Sequence, residues 1–107
     1  MDWGKFAEAI CSDVGKLFIG SLKSYKEAAE KDAKSFLDDS KNDVEDWTIK
    51  LTEGKLAKED YEVLINGKAD VVKMLYLKQK GIGKIQTEVF IKGLIDIIIS
   101  SAFKLIP

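Results

Sequence analysis

Residues 3–51, WGKFAEAICSDVGKLFIGSLKSYKEAAEKDAKSFLDDSKNDVEDWTIKL, decide the fold. Apolar side chains recur there in steps of four, four and three, which lays down three rows whose members stand eleven apart. Trp3, Val14, Tyr25, Phe36 and Trp47 form the first row, Ala7, Phe18, Ala29, Ser40 and Leu51 the second, and Cys11, Leu22, Ala33 and Val44 the third. Of these 14 positions only Ser40 is polar. Eleven residues in three turns is a period of ~3.67, so the rows stay on one face of an α-helix. The spacing predicts one helix over about residues 3–52. The competing reading breaks it between Asp38 and Asn42, where Ser40 is placed to cap a new start with Asp43 three residues on. Gly15 and Gly20 also weaken an unbroken helix.

The stripe is broad up to Leu22, widened by Phe6, Ile10, Leu17 and Ile19, and narrows to a seam from Tyr25 to Leu51. The broad part is expected in a core and the narrow part against a single neighbour. Glu27 with Lys31, Glu30 with Lys34 and Asp46 with Lys50 have the acid-first i,i+4 order that supports a solvated helix face.

Outward from this stretch the signals change. Gly54 stands just past the periodic pattern, and Leu56 and Tyr61 are placed as a hydrophobic staple around a helix start near Ala57, with Glu59 and Asp60 in the first turn. A turn over about 53–57 and a second helix over about 58–80 follow. Gly81 and Gly83 either end or bend that helix; Ile82, Ile85 and Val89 keep the apolar spacing, which favours a kinked continuation over about 84–106. From Val89 to Ile106, 12 of 18 residues are apolar, and Lys92, Asp96 and Lys104 gather on one side, leaving Phe90, Leu94, Ile98 and Phe103 on a face that needs cover. The only proline is Pro107, so none interrupts these helices.

The expected fold is therefore all-α: a single domain over 1–107 built as a long antiparallel helical hairpin, kinked into three or four helices in its variant form, and packed as a bundle through self-association. A 50-residue helix is ~75 Å long. Two such helices alone leave apolar flank uncovered, and a pair of hairpins hides it with the fewest assumptions.

Composition narrows the chemistry. The chain of 107 residues has no His, one Cys and no Arg, all 17 basic residues being Lys. The side chains most used for proton transfer at neutral pH, zinc ligation and bidentate phosphate binding are thus missing or nearly so. One thiol closes no intrachain disulfide, and a reducing cytoplasm is the expected compartment. Asp2, Lys5, Glu8, Asp13 and Lys16 interrupt any secretion signal, and the longest uncharged run near the other end, Ile97 to Phe103, is far short of a membrane span. Residues 1–62 carry 10 Lys against 15 acids and residues 63–107 carry 7 Lys against 3, a charge dipole whose halves attract if they fold together. Singly spread Lys without Arg argues against nucleic acid.

Motif by motif, catalytic and cofactor readings fail. Gly81-Ile82-Gly83-Lys84 lacks the first Gly and the final Ser or Thr of a Walker loop, and Gln86 stands where a dinucleotide fingerprint needs Gly. An EF-hand starting at Asp38 would need Gly at Asp43 and Glu at Ile49. Cys11 lies in an apolar row with no His to activate it. No catalytic residue, cofactor or metal is expected.

The functional expectation is a non-enzymatic interaction or scaffold protein, whose partner is itself or another helical protein. Its contact stripe is expected along Trp3, Val14, Phe18, Leu22, Tyr25, Phe36, Val44, Trp47 and Leu51. The second reading is a peripheral membrane protein using its terminal helices, with Phe90, Leu94, Ile98 and Phe103 toward lipid, although residues 1–23 hold only 3 Lys against 3 acids. A third is an enzyme of Lys and paired carboxylates, with Asp96 facing a Lys inside the bundle.

Overall fold

In a computed structural model that describes residues 1–18, 20 and 23–107, the first fifty residues do not run as one rod. Helix α1 spans Trp3–Gly15 and continues as a 3-10 turn, Lys16–Phe18. Asp2 caps it, its Oδ1 accepting from the Lys5 amide at 3.1 Å. Helix α2 spans Lys23–Asp39 and α3 spans Lys41–Thr52. Helix α4 covers Lys58–Asn66, a second 3-10 turn Gly67–Val71, α5 Leu75–Gln79 and α6 Lys84–Phe103. No strand occurs among the described residues, and five of the helices have nine residues or more.

The single helix over 3–52 is thus corrected to three segments, and the physical reasons differ at the two breaks. Gly20 takes φ +88°, a backbone that L side chains rarely adopt, so the chain turns there. Ser40 stands between α2 and α3 and bonds to both: its amide donates to the Phe36 carbonyl at 2.9 Å and its carbonyl accepts from Val44 at 3.0 Å. With φ −100° and ψ 6°, Ser40 leaves the helical backbone between the end of α2 and the start of α3, as the competing reading of a break between Asp38 and Asn42 expects, but its side chain makes no cap bond. The rows of apolar residues persist across both breaks because α1, α2 and α3 all turn the same face to one core.

Gly54 closes α3. With φ +75° it lets its own amide reach the Leu51 carbonyl at 3.2 Å, and the Lys55 amide reach that of Lys50 at 2.8 Å, the paired bonds of a Schellman end. Helix α4 begins at Lys58 after Ala57, with Glu59 and Asp60 in its first turn. The helix expected over 58–80 stops at Asn66, and the kinked continuation through Gly81 and Gly83 is likewise a break. Gly81 has φ +73°, and Gly83 stands before α6 with its amide held by Gln86 Oε1 at 3.1 Å. Gln86 therefore works as a helix cap.

Helix α1 packs on α2 and on α6, α2 also carries α5, and α4 packs on α3 and α6. The chain folds back so often that it reaches a radius of gyration of 13.6 Å and extents of 41 × 24 × 21 Å. One unbroken helix of fifty residues would be ~75 Å long. Phe6, Ile10, Val14, Phe18, Leu37, Tyr61, Ile65, Leu77, Phe90, Leu94 and Ile98 form the centre of a continuous core. Most of the flank that the hairpin would leave uncovered is closed, since the broken helices pack their stripes on one another, while Ile85 and Val89 at the start of α6 stay exposed.

Candidate functional site

Of the expected contact stripe, Val14, Phe18, Phe36, Val44 and Leu51 are buried, while Trp3, Tyr25 and Trp47 are half-buried and packed against the core. Leu22 lies outside the described residues. These side chains join one interior and present no continuous face to a partner. In α6, Phe90, Leu94 and Ile98 are fully buried and Phe103 is half-buried. The helix packs against α1 and α4, so Phe90, Leu94 and Ile98 belong to the interior and Phe103 to its edge. Asp96 is exposed and borders a shallow hollow with Lys92 and Asn66, facing no interior Lys. Among the described residues no helix is long and apolar enough to cross a membrane, and no three His, Cys, Asp or Glu side chains stand together as a metal site.

What the fold leaves open is a groove of about 580 Å³ between α1 and α2. Trp3, Gly4, Ala7, Glu8 and Cys11 line it from α1, and Glu27, Glu30, Lys31, Lys34 and Asp38 from α2. Trp3, Ala7 and Cys11 stand four residues apart, so they form one ridge of α1, dipping at Ala7. Trp3 leans on Phe6, ring centroids 5.8 Å apart, which fixes one end of that floor. Glu30 is laid back over the helix at Gly15, where an added methyl group would run into its carboxylate.

The rim carries four acids and two lysines. Lys34 is bound to Asp38 at 3.0 Å, a bond that holds its ammonium pKa above the ordinary value. Glu27 is met only at 3.8 Å by Lys23. Lys31 reaches away, its Nζ 5.3 Å from the Tyr76 ring centre. The groove therefore presents an apolar floor under a rim of negative excess. Burial first, then the charge of Glu30, pushes the Cys11 thiol up to about 11, with Lys34 opposing and Asp38 adding to the rise. Such a thiol is almost wholly protonated at neutral pH, so its thiolate is scarce.

The groove's α2 wall is anchored by a residue that the pattern of apolar rows passes over. Asp32 is 1% exposed, and its two carboxylate oxygens accept the amides of Tyr76 at 3.0 Å and Leu77 at 2.8 Å. It caps α5 from another helix. The signal was legible: Ala28, Ala29, Asp32, Ala33 and Phe36 share the spacing of a buried face, and an acid at a core position requires partners. On the far side, Thr48 donates to the Val44 carbonyl at 2.6 Å and takes the Tyr61 hydroxyl at 2.9 Å, joining α3 to α4. Lys68 binds Asp43 and lies 5.4 Å from the Trp47 ring centre, tying the second 3-10 turn to α3. Asp38, Asp43 and Asp46 are each paired with a Lys.

Comparison with protein-family models, with curated proteins and with solved structures returns no match to this chain.

Proposed function

We propose that this chain is a non-catalytic interaction module that seats an amphipathic helical segment in the α1–α2 groove. The observation that carries the reading is the combination in that groove of an apolar ridge, Trp3, Ala7 and Cys11, with a rim where Glu8, Glu27 and Glu30 outnumber available cations. A helix with two apolar residues at i and i+4 fits over Ala7, because a ridge of that spacing packs into the dip between larger neighbours. Lysines flanking that segment meet the acids. The module reading also agrees with the lack of His and Arg, since helix recognition needs shape and charge and no proton-transfer group.

The test uses a Lys-flanked amphipathic helical peptide as probe and Cys11 as reporter. Seating the peptide covers the thiol, so alkylation of Cys11 slows at least about tenfold at saturation and the fluorescence of Trp3, isolated in a Trp47→Phe background, shifts to shorter wavelength. Unchanged alkylation at peptide concentrations that saturate binding, or no binding at all, overturns the reading.

A further inference from the structure

We infer that the segment which fills the α1–α2 groove is the first two turns of α6 from a second copy of this chain; the inference rests on the groove reading above. Three observations carry it. The first is a helix face that the core does not use. Ile85 is 76% and Val89 44% exposed, four residues apart at the start of α6, and buried residues of that helix begin only at Phe90. The second is charge. No acid occurs between Asp70 and Glu88, while Lys73, Lys78, Lys80 and Lys84 do, so the segment leading into α6 is wholly basic. It is the counterpart of the rim formed by Glu8, Glu27 and Glu30.

The third is placement. Leu17, just past the end of α1, lies against Gly93, and Met1 and Asp2 border the same hollow as Ser101 and Lys104, so α1 and α6 run antiparallel. Ile85 and Val89 thus project beyond the C-terminal end of α1, whereas the groove opens along its Trp3–Cys11 half. One copy cannot fill its own groove. Two copies related by a two-fold axis fill both grooves at once, and the assembly closes. Ile85 and Val89 are ~6 Å apart along their helix, which spans half of the ~12 Å from Trp3 to Cys11 and leaves each side chain on one flank of Ala7. Lys80 and Lys84, ahead of this ridge, reach the Glu8 and Glu27 rim.

Sedimentation velocity on the full chain from about 10 µM to about 1 mM, the range of small transient interfaces, should show a monomer–dimer equilibrium that weakens as salt rises from about 50 to about 500 mM. Cys11 alkylation should slow with protein concentration in parallel. Ile85→Glu with Val89→Glu, both at exposed positions, should leave the thermal midpoint unchanged and abolish the dimer. The decisive arm is charge exchange: a Glu8→Lys, Glu27→Lys chain and a Lys80→Glu, Lys84→Glu chain should each stay monomeric alone and pair one to one when mixed, because both contacts are then complementary. A monomer at every concentration overturns the inference. If that monomer still has its Cys11 protected by the Lys-flanked peptide, the groove reading stands and only the self-partner falls. A dimer indifferent to Ile85→Glu and Val89→Glu also overturns it. So does a monomer that sediments with phosphatidylserine vesicles through Ile85 and Val89, which assigns the segment to lipid.

Discussion

The carboxylate of Asp32 on α2 holds the amide of Leu77, 45 residues further along the chain, at 2.8 Å, and through its other oxygen the neighbouring amide of Tyr76. A five-residue helix has little stability of its own, so α5 depends on this borrowed cap. Asp32→Ala strands two amides, that of Leu77 in a buried place, and should lower stability by about 2–3 kcal/mol. Asp32→Asn, which keeps one acceptor, should lose less. Urea denaturation measures both. Hydrogen exchange at Tyr76 and Leu77 should accelerate in the Ala variant well before the rest of the core responds.

Tyr61 predicts an alkaline transition. Burial raises its hydroxyl from about 10 to about 12, with the Thr48 bond opposing. A folded-state value above the unfolded one means that the stabilisation is complete below about pH 10 and is lost as pH rises through about 12, amounting to about 2–3 kcal/mol. At neutral pH Tyr61→Phe removes one hydrogen bond and should be less stable than the parent by about 1 kcal/mol. Above about pH 11 the order should reverse, because Phe has no proton to lose. Guanidinium denaturation at stepped pH values checks the crossing.

The thiol of Cys11 should be sluggish. Its rise from 9.0 to about 11 cuts the thiolate fraction at pH 8 by about 100-fold, partly offset by the greater nucleophilicity of a more basic sulfur. Iodoacetamide should therefore label the folded chain about tenfold more slowly than the same chain in urea. Equal rates would contradict the burial of Cys11 between α1 and α2.

Two glycines should respond in opposite directions to the same change. Gly54→Ala forces a side chain into φ +75° and should destabilise by about 1–2 kcal/mol. Gly67, with φ −62° and open space around it, already has helical geometry, so Gly67→Ala should stabilise by about 0.5–1 kcal/mol. For a chain of this length each kcal/mol moves the thermal midpoint by about 4–8 °C.

Helical content and the Gly54 turn were legible from the sequence, and the reasons are local. Apolar spacing and a glycine past its end act over a few residues, and so do the acids in the first turn of α4. The breaks at Gly20 and at 67–74 were hidden by the same logic, because a row of apolar residues keeps its spacing whether one helix carries it or two antiparallel helices share a core. Gly15 and Gly20 were the signals at the first break, outweighed by the continuing pattern on either side, and Gly67 marks the second. The groove was illegible for a different reason. It exists only where Ala7 and Cys11 on α1 meet Glu27 and Glu30 on α2, and no spacing within one helix records that meeting. Asp32 lies between these cases, its burial implied by Ala29 and Ala33 and its partners by nothing nearby.

The backbone bonds that Ser40 makes back to Phe36 and on to Val44 couple α2 and α3 as the two arms of one bent lever. Its short arm bears Trp47, clasped by Lys68, and its long arm forms one wall of the groove. A guest that pries the long arm outward must tilt the short one, so the indole of Trp47 should register occupancy from the other side of the elbow.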